Sequence, residues 1–209
     1  MTLKEAKEIT GDLSQPSKMP GRAYNLPATS CRLGGKLVGV PGTVCSHCYA
    51  LKGRYRFPAV RVSLAKRLQA TAGPRWVEAM VRLIRHYESP PVGSGYFRWH
   101  DSGDLQSVEH YEKILEVCRR CQRIRFWLPT REIGIVQAST TPVPSNLTTR
   151  ISLNRIGQYP QASSRKSGNI STVGSGQGYI CPAPKQDNRC DTCRACWRRD
   201  VPLVDYCLH

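Results

Sequence analysis

The chain has 209 residues, 40% of them hydrophobic and 22% charged, enough apolar material for one buried core, which excludes a wholly disordered protein. No run approaches the roughly 18 apolar residues of a membrane helix, and Met1 to Lys7 lack the apolar stretch of a signal peptide, so a soluble, cytoplasmic protein with no membrane partner is expected. Thirty-one basic against fifteen acidic residues give a net charge of +16, with Arg over Lys by 22 to 9; this suits bidentate phosphate contacts and points to nucleic acid, DNA or RNA, as partner, the alternative being a merely solvated charge.

Residues 1–20 are polar and without sustained periodicity, and read as an N-terminal arm, mobile or strapped down, ahead of a single α/β domain over 21–209. Met19 to Gly53 is rich in Gly and Pro and carries Cys31, Cys45 and Cys48, a ligand-bearing loop region. Ala59 to Ala70 and Pro74 to Glu88 have helical spacing, with Trp76, Val77, Met80, Val81, Ile84 and Tyr87 in one stripe.

Four short apolar runs then repeat a pattern: Tyr96 to His100, Arg125 to Leu128, Thr149 to Leu153, and Gly178 to Ile180. Each reads as a buried strand that ends in polar or reactive residues. Their starts lie 24 to 29 residues apart, the pitch of a strand, a crossover helix and the next parallel strand. The first crossover is a clear helix capped by Ser107, with Val108, Tyr111, Ile114, Leu115 and Cys118 on its apolar face; the second, Glu132 to Ala138, is short. Residues 156–177, which include Arg165 and Lys166, have no apolar period and read as a long loop, a candidate phosphate-contacting flap.

The expected fold is therefore α/β, a partial or small parallel β/α barrel with cysteine-rich N- and C-terminal segments, the latter over 178–209. Parallel strands joined by right-handed crossovers put every carboxyl end on one rim, where barrels of this kind hold their chemistry. His100, Asp101, Asp104, Arg131 and Glu132 become candidate catalytic residues, and Asn154 and Arg155 candidate cofactor-binding residues; Thr130 ends a strand beside them. The alternative is that these are ordinary polar loop starts.

Ten cysteines in a reducing compartment are read first as metal ligands. Cys181, Cys190, Cys193 and Cys196 have two consecutive C-x2-C steps and a distant Cys followed by Pro, an arrangement that suits a 4Fe-4S cluster better than zinc, whose sites more often use two separated knuckles. Cys31, Cys45 and Cys48 offer three thiolates, which would leave one iron of a second cluster open; zinc would instead recruit His47. Whether the two groups form one site or two stays open, and both are expected to meet at the carboxyl rim. Cys118 and Cys121 read as buried core thiols.

Lys18 to Ala28, Val44 to Tyr55, Phe97 to Asp104, Phe126 to Glu132 and Cys193 to Trp197 together resemble the gene-product-eighty-eight family of phage and prophage proteins, over residues 18–209. That resemblance implies a phage setting and host cytoplasm. More distantly, Cys48 to Ala50, Asp101 to Asp104, and Thr130 with Arg131 resemble phage proteins of the radical S-adenosylmethionine type. In that superfamily three cysteines hold a 4Fe-4S cluster whose fourth iron binds S-adenosylmethionine, on a barrel that is often partial. Here thirteen residues separate Cys31 from Cys45, where the superfamily has three. The expectation is an iron-sulfur protein acting on nucleic acid by redox chemistry; the alternatives are a non-catalytic zinc- or cluster-stabilised binding module, and an electron-transfer or regulatory protein with a redox partner.

Overall fold

Seven strands form one sheet in the computed structural model, which describes residues 1–161 and 168–208. They are β1 (Arg22–Tyr24), β2 (Tyr96–Trp99), β3 (Arg125–Thr130), β4 (Leu147–Ser152), β5 (Asn169–Val173), β6 (Tyr179–Ile180) and β7 (Leu203–Tyr206). Their spatial order is β1-β2-β3-β4-β5-β7-β6, and every neighbouring pair is parallel. Adding five strands in chain order on the same side is the winding of a barrel, which right-handed crossovers over one face produce. Because β1 and β6 are edges of the order, the barrel stays open, and the α/β, partial-barrel expectation is met.

The helices are α1 (Leu3–Thr10), α2 (Arg32–Leu37), α3 (Pro58–Ala70), α4 (Trp76–Glu88), α5 (Val108–Arg120) and α6 (Ile133–Ala138). Local signals set their ends. Thr2 and Glu5 close a reciprocal capping box on α1, and Gly11 ends it in a left-handed conformation. Ser107 accepts from the His110 N–H to cap α5, and Pro58 occupies the first turn of α3.

One face of the sheet carries the main core. Phe97, Trp99, Phe126, Leu128 and Leu147 pack there against Met80 and Ile84 of α4 and Ile114 and Leu115 of α5, all fully buried, each worth about 1.5–3 kcal/mol of apolar transfer. Strand alternation sends Tyr96, Arg98, Trp127, Thr148 and Arg150 to the other face. That face is covered by the cysteine-bearing turn Ala195–Trp197, where Trp197 Nε1 donates to the Phe97 carbonyl and its own carbonyl accepts from Thr148.

Two expectations need correction. The stretch 156–177 contains β5, whose polar Ser171 and Thr172 are buried because Ser152 and Asp205 meet their hydroxyls. β6 is a strand but not a buried one: it is an edge, with Tyr179 42% and Ile180 50% exposed. The arm over 1–20 carries α1, whose Ala6 is buried against the main core and whose Thr10 carbonyl accepts from the Tyr24 hydroxyl. Arg165 and Lys166, the proposed flap, lie outside the described residues. Among the described residues no helix is long and apolar enough to cross a membrane.

Candidate metal centre

The first cysteine group is pinned to the carboxyl ends of the strands by backbone contacts. After β1, the Leu26 N–H donates to the Ser102 carbonyl, and Gly103 (φ 78°) passes so close that a Cβ there would meet the Leu26 side chain at 2.5 Å. Only glycine tolerates both conditions. Cys31 opens α2, and Glu132, just past β3, accepts from the Leu33 N–H at 2.7 Å. Val44 donates to the Asn154 carbonyl beyond β4 at 2.9 Å, and Thr43 bridges to Arg155. Cys31 is thereby tied to the end of β3, and Cys45 and Cys48 to the end of β4.

Between these anchors the thiols share one neighbourhood. The sulfurs of Cys31 and Cys45 both approach Gly34, 3.8 and 3.5 Å from where its Cβ would stand. Burial pushes the Cys31 thiol up to about 12, helped by Asp104 and by the thiols of Cys48 and Cys45. Burial also raises Cys45, while the Arg131 guanidinium beside it pulls the other way. Among the described residues no three His, Cys, Asp or Glu side chains are drawn tightly enough to bind one metal ion.

Asp104 organises the protein side of this neighbourhood. It accepts from the Thr130 hydroxyl at 2.5 Å, the Arg131 N–H at 2.9 Å and the Leu105 N–H at 2.7 Å. Burial nevertheless lifts its carboxyl to about 6 against those three donors. Arg131 reaches across to the Ser152 and Leu153 carbonyls, locking the end of β3 to that of β4. A groove of about 320 Å³ opens alongside, lined by Arg32, Leu33, Lys36, Arg131 and Glu132 among others.

The second group lies on the face of the sheet opposite the main core. Cys181, Cys193 and Cys196 pack around Trp127, and the Cys181 N–H donates to the Asp205 carbonyl at the end of β6. Tyr179 and Tyr206 hydroxyls approach the sulfurs of Cys193 and Cys196 at 3.3 and 3.2 Å. Burial raises Cys181 and Cys190 and pushes Cys196 up to about 12. After burial, the charges acting on these three come from within the group and from Arg98, Arg150, Arg194 and Cys207, whereas those acting on Cys31 come from Asp104, Glu132, Cys45 and Cys48. The first group thus lies at the ends of β3 and β4, and in the second Cys181 leaves the carboxyl end of β6.

Arg98 stands between them. It stacks on the Trp127 ring at 4.2 Å and pairs with Asp101 at 3.3 Å. Asp101 in turn accepts from the hydroxyls of Tyr49 and Tyr55 and from Asn25.

The sequence profile of the family described as Gene product 88 matches residues 1–199. The chain belongs to the Gene product 88 family. No curated protein and no solved structure matches it.

In this family member the rim gathers Asp104, Arg131 and Glu132 beside the three thiols, with Asp101 one hydrogen-bond layer away. Asn154 borders the Cys45 loop, and its Oδ1 is buried without a partner among the described residues. His100 is not brought in. A left-handed turn (φ 55°) buries its ring 5.5 Å from that of His110 on α5, so it belongs to the core rather than the rim. Arg155 is exposed and contributes its backbone. Sequence reasoning missed Arg98, Arg150, Asn25, Tyr49 and Gly34; a charged residue in the middle of an apolar strand was the available signal for the two arginines.

The buried histidine pair sets a pH dependence. Burial pushes His110 down to about 4, with Lys113 adding to the effect and Glu109 opposing it, and also holds His100 well below the usual imidazole range, with His110 and Arg98 adding. The unfolded chain takes up these protons from about pH 6.5 downward and the folded chain does not, so stability falls as pH drops through that window. For His110 the expected loss between pH 7 and 5 is about 2 kcal/mol. Asp104, raised rather than lowered, acts in the opposite sense, so the informative quantity is the difference from His110→Gln. Urea unfolding at both pH values should show a shallower acid loss in that variant; equal losses would refute the assignment.

Proposed function

We propose that this is an iron-sulfur protein acting on nucleic acid, with Cys31, Cys45 and Cys48 holding one cluster at the rim and Cys181, Cys190, Cys193 and Cys196 a second, closed one. The observation that carries this reading is the placement of Cys31, Cys45 and Cys48 beside Asp104, Arg131 and Glu132 at the ends of β3 and β4, with Cys181, Cys193 and Cys196 gathered in the cluster of Trp127 and Trp197. A single tetrahedral zinc draws its sulfurs to within about 4 Å of one another. Three thiolates would leave one iron for a ligand from outside the chain.

Bound there, a cluster would supply one-electron chemistry, with S-adenosylmethionine as the candidate ligand of the open iron. The chain's own residues have definable parts. Glu132 and Asn154 position the two cysteine segments through the Leu33 and Val44 N–H groups. Arg131 places positive charge beside Cys45, which favours an anionic cluster. The Asn154 Oδ1, without a partner among the described residues, offers an acceptor for a cofactor ammonium or hydroxyl. Asp104, held near neutral pH by burial, is the rim group able to hold or release a proton at its carboxyl oxygen. The charge of +16 supplies the attraction for a phosphate backbone.

Metal and acid-labile sulfide analysis of protein purified without oxygen tests this. About eight irons per chain are expected, falling to about four in Cys45→Ala and in Cys193→Ala. About four in the wild type, lost in both variants, would mean one shared cluster and overturn the two-site reading. Zinc in a colourless protein would end the redox proposal and leave a structural binding module.

A further inference from the structure

We infer that the ridge running from Lys52 to Val62, directly after Cys48, is a binding platform for single-stranded nucleic acid that delivers the strand to the rim thiols. This deepens the proposed function and rests on its nucleic-acid half.

The first support is charge. From Leu13 to Val77 the chain has no acidic residue and eleven basic ones. Acidic side chains elsewhere neutralise much of the surface, so positive potential concentrates in this stretch. Within it Lys52, Arg54, Arg56 and Arg61 are exposed, and none forms an ion pair among the described residues. Cations left unpaired side by side repel one another, a cost that a polyanion reverses.

The second support is aromatic and independent of the first. Phe57 is 58% exposed at the start of α3, and Val62 is 69% exposed. Arg54, Tyr55, Arg56 and Phe57 alternate charge and ring along four consecutive residues. Tyr55 packs edge-on to Tyr49 at 5.8 Å, and its hydroxyl is fixed by Asp101. Tyr55 is thus anchored through its hydroxyl, while Phe57, two residues on, stays open. Exposed rings among guanidinium groups offer faces for unstacked bases and donors for the phosphates between them. A duplex keeps its bases stacked and offers such a ring nothing. Tyr49 directly follows Cys48 and also binds Asp101, so a strand lying on the ridge reaches the rim.

The test uses full-length protein and a fluorescein-labelled oligothymidylate, with anisotropy read over a series of salt concentrations. The wild type should bind the single strand more tightly than a duplex of equal length, with affinity falling as salt rises. Phe57→Ala should weaken binding roughly tenfold with the salt slope unchanged, and Arg54→Ala/Arg56→Ala should reduce the slope by about 1.4. These side chains face solvent, so far-ultraviolet circular dichroism and metal content should stay at wild-type values in both variants. Unchanged affinity in the variants, or preference for the duplex, would overturn the platform and leave the proposed function standing. Binding to phosphatidylserine vesicles but to no nucleic acid would overturn the platform and the nucleic-acid half of that reading together, while iron content would still decide the cluster half separately.

Discussion

Arg150→Met is expected to destabilise the protein by about 4 kcal/mol and to empty the C-terminal thiol site. Arg150 is fully buried in β4, and its guanidinium donates to the carbonyls of Cys196, Ile170, Ala195, Arg198 and Val201. Four of those five acceptors belong to the segment that carries Cys196. Methionine fills similar volume but supplies no donor, leaving several carbonyls dry and unpaired at about 1–3 kcal/mol each before relaxation. The segment should then lift from the sheet, and water should enter above Trp127. Arg150→Lys keeps the charge but not the planar fork, so it should rescue only part of the loss. Urea unfolding gives the first quantity and iron content the second; a wild-type midpoint in Arg150→Met would show that the segment docks without it.

Arg150 also bears on what the site holds. Among the described residues it has no carboxylate partner, and Tyr206 and Cys196 are the groups that favour its charge. Its five carbonyl acceptors satisfy the guanidinium's hydrogen bonds but carry no net negative charge. Four thiolates around a cluster would supply the missing negative charge, which is why this arginine is a better argument for the C-terminal site than the cysteine spacing alone.

The parts legible in the sequence were those that local pattern dictates. The stripe of α4, the Ser107 cap of α5 and the apolar runs of β2, β3 and β4 each state their periodicity within a dozen residues. β1 has three residues and no period to read. β7 hides a buried acid: Asp205 is only 4% exposed, and the Thr172 hydroxyl with the Ser175 and Gly176 N–H groups makes that tolerable. Such partners come from thirty residues away and leave no local trace. The same limit applied to the thiols. Spacing marked them as candidate ligands, but their places are set by distant contacts: Glu132 holds the Leu33 N–H beside Cys31, and the Asp205 carbonyl accepts from the Cys181 N–H. His100 was misplaced because a single left-handed residue turned it from the rim to the core.

Gly34→Val should abolish the proposed rim cluster while replacing none of its candidate ligands. A Cβ at this position would stand 3.1 Å from the Cys31 Cβ and 3.5 Å from the Cys45 sulfur, and the two further methyl groups of valine would extend into the space that the sulfurs border. The backbone of α2 cannot withdraw freely, because Glu132 holds the Leu33 N–H and the Cys31 carbonyl accepts from Gly35. Iron should fall from about eight to about four per chain with the C-terminal site intact. Gly35→Ala is the matched control: nothing lies within 4 Å of its Cβ, and alanine is the better helix former by about 0.5–1 kcal/mol. It should keep full iron and unfold no earlier than the wild type. If both variants lost iron, the short helix itself would be the sensitive element. If neither did, the thiols of Cys31 and Cys45 would not close around a shared body, and the rim site would have to be abandoned whatever the C-terminal group holds.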